Sequence, residues 1–153
     1  MYKHILIATD GSELASKGLE HGLALAGPLG AKVTVLAVSE PIDSRVAHAA
    51  TLAGVHDVVL RYDEAIATEM QEKFDAAREQ AKAHGIDVEI KDLELASEVD
   101  HSPADAILRH ATLNNCDLIV MASHGRRGIR RVILGSQTMQ VVTHGNIPVL
   151  VIR

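Results

Sequence analysis

The sequence predicts an α/β protein built on one open, five-stranded parallel sheet with helices on both faces. Short apolar or β-branched runs, typical of strands, alternate along the chain with longer stretches of helical periodicity. Hydrophobic residues make up 47% of the chain but aromatic residues only 2%, so the core must be aliphatic. At 153 residues the chain is expected to form a single domain over residues 1–153. We expect the strand order 3-2-1-4-5, in which the first and fourth strands are neighbours.

The first half of the chain is predicted to hold two strands and two helices. The two strands and the helix that joins them are expected at residues 3–9, 32–38 and 13–26. Ser12 is a good N-cap for that helix, whereas Gly27, Pro28 and Gly30 are expected to end it. Residues 39–57 have no clean period and are predicted to be a loop with room for a helical turn. An amphipathic helix is predicted over about residues 58–84, with Gly85 at its C′ position.

The second half is predicted to continue the same alternation. The expected segments are an edge strand at 87–95, a helix at 103–112, a strand at 118–122, a helix at 136–144 and a strand at 149–152. The first of these helices has Ser102 as its N-cap and Pro103 at its first position. In such sheets ligands bind beyond the carboxyl ends of the strands. The loops after the first and fourth strands are therefore expected to face each other across one crevice.

The loop after the fourth strand has the layout of an anion site. Three glycines, Gly125, Gly128 and Gly135, alternate with arginines before Ser136 opens a helical pattern. Glycines allow backbone N–H groups to approach a ligand, and a helix start favours negative charge. The arginines in question are Arg126, Arg127, Arg130 and Arg131, of which we expect one or two near a ligand.

The charge distribution supports an anionic ligand. All 20 carboxylates lie at or before Asp117, whereas the last 36 residues hold five arginines and no carboxylate. The positive end coincides with the glycine loop, and the acidic remainder argues against a nucleic-acid-binding domain. The nine histidines show no tight metal-ligand spacing, and His48 with His56 is weak evidence for zinc.

The chain is expected to be cytoplasmic and without a membrane segment. No apolar run approaches the ~20 residues that cross a bilayer, and the N-terminal apolar stretch is too short for a signal peptide. The single cysteine, Cys116, is expected to be a small buried hydrophobe in a reducing compartment.

Neither a Walker-type GxxxxGK[ST] loop nor a GxGxxG after the first strand is present. However, SHG, nine residues and GS at 123–136 match most of the signature G-x2-G-x9-G-[ST]. With ILIATDGSE near the start, VTVLAV in the second strand and NIPVLVIR at the end, the chain resembles the ATP-binding universal stress proteins over its full length. The resemblance implies a Rossmann-like fold.

The resemblance also implies a site for ATP or AMP. Asp10 matches the family aspartate that contacts the adenosine part, Ala8 a position lining the adenine, and Val38 one whose backbone reads the adenine edge. Gly125 and Gly135 match motif glycines that contact ribose and phosphates. The positions at the phosphate end, with further candidates from the same loop, are Ala122, His124, Gly125, Arg127, Gly128, Gly135, Ser136, Gln137 and Thr138.

One position departs from the signature: Ala122 stands where the first motif glycine is expected, which limits φ to negative values and adds a methyl group. The resemblance further implies magnesium bound through phosphate oxygens and a homodimer formed through the last strand. The leading hypothesis is a nucleotide-responsive stress-response switch. Two other classes stay open: a nucleotide-free dimeric interaction or chaperone-like stress protein, and an enzyme ranging from a slow ATPase to a nucleotidyltransferase or hydrolase.

Overall fold

Ten helices and strands build the described part of the chain. The computed structural model describes residues 1–40, 44–95, 100–124 and 134–153. The strands are β1 (His4–Thr9), β2 (Lys32–Ser39), β3 (Val88–Glu94), β4 (Leu118–Ala122) and β5 (Val149–Ile152). The helices are α1 (Glu13–Leu29), α2 (Ser44–Leu52), α3 (His56–Ala83), α4 (Pro103–Leu113) and α5 (Ser136–His144).

All strand pairs are parallel and the order is β3-β2-β1-β4-β5, which confirms the predicted sheet. β1 and β4 pair with Ile5 opposite Leu118 and Ile7 opposite Val120. Because β2 and β3 lie on one side of this pair and β5 on the other, the direction of winding reverses between β1 and β4.

Two aliphatic clusters cover the two faces of the sheet. On one face Ile5 and Ile7 of β1 pack with α1 and α3, and on the other Leu6 and Ala8 pack with α4 and α5. Cys116 is buried in the second cluster, as predicted, and burial together with the neighbouring Asp117 raises the pKa of its thiol to about 11. A thiol with that pKa is a packing group rather than a nucleophile.

Glycines end α1 and α3 in left-handed conformations. Gly85 has φ 65° and follows α3 as predicted, and the Ile86 N–H donates to the Ala81 carbonyl. The predicted end of α1 at about residue 26 is wrong, because the helix continues through Gly27 and Pro28 to Leu29. Of the three residues predicted to end it, Gly30 does so, at φ 61°. A proline in a last turn removes one donor, whereas a left-handed residue ends the helix outright.

The segment predicted as a loop at 39–57 contains α2 instead. Ala50 is buried, but Val46 and Leu52 are more than half exposed. Since its large apolar residues are not buried, the sequence has no clear amphipathic pattern that would predict this helix.

A buried carboxylate fixes the start of α4. Asp100 accepts hydrogen bonds from Arg109 Nε at 2.8 Å and from Nη2 at 2.6 Å, and is 3% exposed. These bonds hold the pKa of the Asp100 carboxyl below its usual range. A carboxylate with a lowered folded pKa stabilises the fold above its unfolded pKa, about 3.9, and loses that contribution as the pH falls through the folded value.

Asp100→Asn is therefore expected to lower Tm at pH 7 by about 2–4 °C. The difference in Tm from the wild type should begin to narrow below about pH 4, where the unfolded wild-type chain starts to take up a proton at this position. It should be lost once the pH is below the lowered folded pKa, where both proteins carry an uncharged group there. Thermal melts between pH 2 and 7 measure it. Asp75→Asn is the matched control, because the Asp75–Arg78 pair is exposed and should change Tm little. A difference in Tm that stays constant from about pH 2 to 7 would contradict a stabilising role for the ionised Asp100 carboxylate.

Candidate functional site

The candidate site lies at the carboxyl edge of the sheet, where β1 and β4 lie side by side. The loops that leave these strands are the two that the sequence predicted to face each other, and the pairing of β1 with β4 confirms that they begin at adjacent strands. In open parallel sheets this reversal point is where a crevice forms between the two loops.

A hydrogen-bonded turn follows β1. Thr9 Oγ1 accepts from the Gly11 N–H at 3.1 Å, and Asp10 Oδ1 accepts from the Ser12 N–H at 3.0 Å. Gly11 has φ 73°, a conformation that disfavours residues with a Cβ. Ser12 Oγ then accepts from the Ala15 N–H at 3.2 Å as the N-cap of α1. The turn holds the partly buried Asp10 directly beyond the end of β1.

The two predicted adenine-side positions lie on the adjacent strands. Ala8 is buried on the α4 and α5 face, opposite Leu36 of β2. Val38 is partly buried one residue before the end of β2, opposite Leu93 of β3. Both positions therefore lie at the carboxyl edge, next to the Asp10 turn.

Ala122 fits its position without strain. It is the last residue of β4, pairs with Ile152 and has no positive φ. Its carbonyl accepts a hydrogen bond from Thr138 Oγ1 at 2.8 Å. The strand therefore continues regularly to this residue, and no glycine torsion is needed where the family signature has a glycine.

Gly135 is needed for space rather than for its torsion. Its φ is −66°, but a Cβ there would lie 3.3 Å from His124 Cα and 3.4 Å from the Ser123 carbonyl oxygen. Its N–H donates to that same oxygen at 2.6 Å. The residue before α5 thus packs directly on the backbone that leaves β4.

The first turn of α5 is held by the two side chains that follow Ser136. Thr138 is buried and donates to Ala122, and Gln137 Oε1 accepts from the Ala104 N–H of α4 at 2.9 Å. Ser136 is exposed, and its hydroxyl has no hydrogen-bond partner within the described ranges.

The start of α5 has neither a side-chain cap nor a first-turn acid among the residues that the structure describes. By contrast, α1 and α4 each begin with a capping serine, Ser12 or Ser102, and an acid, Glu13 or Asp105. An uncapped helix start presents free N–H groups and the positive end of the helix dipole. This edge of the sheet can therefore bind an anion through backbone groups.

Of the remaining candidates, His124 is partly buried with Nδ1 3.1 Å from Ser123 Oγ. The candidates Gly125, Arg127 and Gly128, and the other loop arginines, lie outside the described residues. Two residues that bond to the start of α5 or of α4 were not predicted from the sequence. The Ser123 carbonyl accepts from the Gly135 N–H, and Gln140 Oε1 accepts from Ser102 Oγ. The spacing of Gln137 and Gln140 by about one helical turn was the only signal of the second contact in the sequence.

The described residues contain no group of three His, Cys, Asp or Glu side chains that could hold a metal ion, and His48 and His56 belong to no such group. No helix in the same ranges combines the length and apolarity that a bilayer crossing requires.

The sheet order and the reversal of winding between β1 and β4 define a doubly wound α/β protein, a class in which ligands bind at the carboxyl edge of the sheet. The model of the universal stress protein family matches residues 1–153, so the chain belongs to that family. Universal stress protein YxiE of Bacillus subtilis is 28% identical over 157 residues, with all of both chains covered. The solved structure of MJ0577, a protein of Methanocaldococcus jannaschii, has a TM-score of 0.75 at 27% identity, covering 99% of this chain and 96% of that one.

Two further solved structures are complexes with nucleotides. A universal stress protein from Archaeoglobus fulgidus in complex with dAMP has a TM-score of 0.66 at 21% identity, covering 99% of this chain and 98% of that one. A universal stress protein in complex with cAMP has a TM-score of 0.66 at 22% identity, covering 99% and 97%. At these identities the likeness to the present chain is one of fold.

Proposed function

We propose that this protein binds an adenine nucleotide, ATP or AMP, in the crevice between β1 and β4, and acts as a nucleotide-responsive switch in a stress response. The observation that carries the proposal is the start of α5. The N–H groups of its first turn have no side-chain cap among the described residues. Gly135 and Thr138 hydrogen-bond to Ser123 and Ala122 at the end of β4, and Ser136 between them is exposed. The nucleotides bound by fold relatives support the adenine assignment.

The two ends of the nucleotide are assigned to the two loops. Asp10, with Ala8 and the Val38 backbone, would contact the adenosine part at the ends of β1 and β2. Ser136 and the helix-start N–H groups would bind phosphate oxygens, because a hydroxyl and backbone donors at a helix dipole suit that charge. Gly125, which matches a glycine of the family signature, and the further loop candidates Arg127 and Gly128 would complete the phosphate side.

We propose binding as the main activity, with hydrolysis at most slow. Magnesium would enter with a triphosphate through the phosphate oxygens. The switch would work through a difference in affinity for nucleotide between two conformations of the protein, since a ligand shifts an equilibrium only by such a difference.

The direct test is to denature the purified protein and identify any released nucleotide by chromatography, then to titrate nucleotide-free protein with ATP, AMP and cAMP by calorimetry. Adenine nucleotide in the supernatant and saturable binding are expected. No released nucleotide and no heat from any of the three would favour the alternative, a nucleotide-free interaction protein. Turnover on the order of 1–1000 per second would instead indicate an enzyme.

We also propose a cytoplasmic homodimer formed through β5. This strand is an edge strand, and Leu150 on it and Met139 and Val142 on the adjacent α5 are exposed. Unpaired edge strands must be covered or paired to avoid aggregation. The carbonyls of Pro148 and Ile152 bond to β4, so the alternate residues Val149 and Val151 direct their backbone groups away from it.

Val151→Pro is accordingly expected to give a monomer that keeps its fold. Proline removes an outward-facing N–H and leaves the β4–β5 ladder intact, as prolines at sheet edges do. Sedimentation velocity and thermal melts measure the two effects. Leu150→Pro is the control, since it removes an N–H directed at β4 and should lower Tm. A Val151→Pro dimer as stable as the wild type would contradict pairing through β5.

A further inference from the structure

Two glutamines one turn apart on α5 reach the start of α4. Gln137 Oε1 accepts from the Ala104 N–H at 2.9 Å, and Gln140 Oε1 accepts from Ser102 Oγ at 3.1 Å. Because a backbone N–H can only donate, the amide oxygen of Gln137 must be the atom that faces Ala104. We propose that Gln137 and Gln140 are positioning residues of the nucleotide site, which couple the first turn of α5 to the start of α4; this rests on the proposed function.

The start of α4 takes the acceptor for one of its backbone N–H groups from α5. Pro103 has no N–H, the Asp105 N–H donates to Ser102 Oγ at 3.2 Å, and the Ala106 N–H donates to the Ser102 carbonyl at 3.2 Å. The Ala104 N–H takes its acceptor from Gln137, and Ala104 is 1% exposed. A shift of α5 away from α4 would leave a buried donor without its acceptor, which is unfavourable.

The first turn of α5 is therefore attached on two sides. Gly135 and Thr138 attach it to the end of β4, and Gln137 and Gln140 attach it to α4. Ser136 is left facing outward between these attachments. Phosphate bound at Ser136 and the helix-start N–H groups would hold this turn in place, and the two glutamines would transmit that restraint to the α4 start.

The coupling is reciprocal, because a nucleotide that stabilises the bond to Ala104 must bind more tightly when that bond is present. In the wild type, ATP or AMP is expected to slow amide hydrogen exchange at Ala104 and Asp105. Gln137→Ala is expected to weaken nucleotide affinity about five- to tenfold, the effect of one hydrogen bond. In that variant the nucleotide should no longer slow exchange at Ala104.

Matched variants separate positioning from general stability. Gln71→Ala makes the same substitution on α3, where Gln71 bonds to the exposed Asp75, and should change neither affinity nor exchange at Ala104. Gln140→Ala should weaken affinity, whereas Gln140→Glu, which keeps an acceptor for Ser102, should restore it. If Gln137→Ala does not fold, Gln137→Glu keeps the acceptor and should retain slow exchange at Ala104 even as its charge weakens phosphate binding.

The experiment is calorimetric titration with ATP and AMP together with residue-resolved hydrogen exchange by NMR. Wild-type binding with unchanged affinity in Gln137→Ala and Gln140→Ala would overturn the positioning role and leave the proposed function in place. Nucleotide binding that does not alter amide exchange at Ala104 would also overturn the positioning role of the two glutamines. A wild type that binds neither nucleotide would overturn the proposed function and this inference together.

Discussion

Replacing Ser136 with aspartate is expected to stabilise the fold and to weaken nucleotide binding strongly. A carboxylate in the first turn of α5 interacts favourably with the helix dipole and should add about 0.3–1 kcal/mol to the free energy of unfolding. The same carboxylate occupies the region proposed for phosphate. Loss of a charge-assisted hydrogen bond and repulsion between like charges should together weaken ATP affinity about 100-fold or more.

The substitution is informative because it should raise stability while lowering nucleotide affinity, whereas a variant that merely unfolded would lose both. Thermal melts give the first effect and calorimetric titration the second. Thr143→Asp is the control: Thr143 is an exposed residue in the last turn of the same helix. Its carboxylate should lower stability at the negative end of the dipole and leave affinity unchanged. If Ser136→Asp bound ATP as the wild type does, the phosphates could not lie at the start of α5.

Helices and strands whose sequence pattern reflects their burial could be predicted. β4 is an uninterrupted apolar run because it is buried on both faces, and Ser102 with Pro103 is a local start signal that needs no tertiary contact. α2 could not be predicted in the same way. Its large apolar residues, Val46 and Leu52, are exposed, and the one buried position among its described side chains is the small residue Ala50.

The candidate site was predictable in position but not in the direction of its side chains. The strand–loop–helix layout placed Gly135 and Ser136 correctly at the start of a helix. It could not reveal that the side chains of Gln137 and Thr138 bond to α4 and β4, because those partners are 33 and 16 residues away in sequence. Nor could it show that Ala122 occupies a regular strand position, since that depends on where β4 ends.

The close packing of α1 against the sheet is expected to make Gly22 intolerant of alanine. A Cβ at Gly22 would lie 2.4 Å from Cδ1 and 2.8 Å from Cγ1 of the fully buried Ile7. Overpacking of this kind typically costs about 1–3 kcal/mol, which exceeds the 0.5–1 kcal/mol or so that alanine contributes in a helix interior. Gly22→Ala should therefore lower the free energy of unfolding, as measured by urea denaturation.

A second glycine of α1 provides a control for the effect of alanine on the free energy of unfolding. A Cβ at Gly27 would have no atom of the described residues within 4 Å, so Gly27→Ala should stabilise the protein by up to about 1 kcal/mol. Ile7→Val removes the methyl group that the new Cβ at Gly22 meets, and alone should cost about 0.5–1.5 kcal/mol. In the double variant of Gly22 and Ile7 the two changes should partly compensate, whereas additive losses would show that Ile7 is not the obstacle.

This packing bears on the proposed function because α1 lies across β1 and β4, the two strands at which the proposed nucleotide site lies. Gly22 faces Ile7 of β1 and Val120 of β4, and Gly18, one turn nearer the carboxyl edge, would place a Cβ 3.9 Å from the Ala122 nitrogen. Helix α1 can approach the sheet at Gly22 only because that residue has no side chain, whereas a Cβ at Gly18 would make an ordinary van der Waals contact. If Gly22→Ala lifts α1 from the sheet, the Asp10 turn at its N-terminus must move relative to β4. Nucleotide affinity should then fall along with stability, and Ile7→Val should restore part of both.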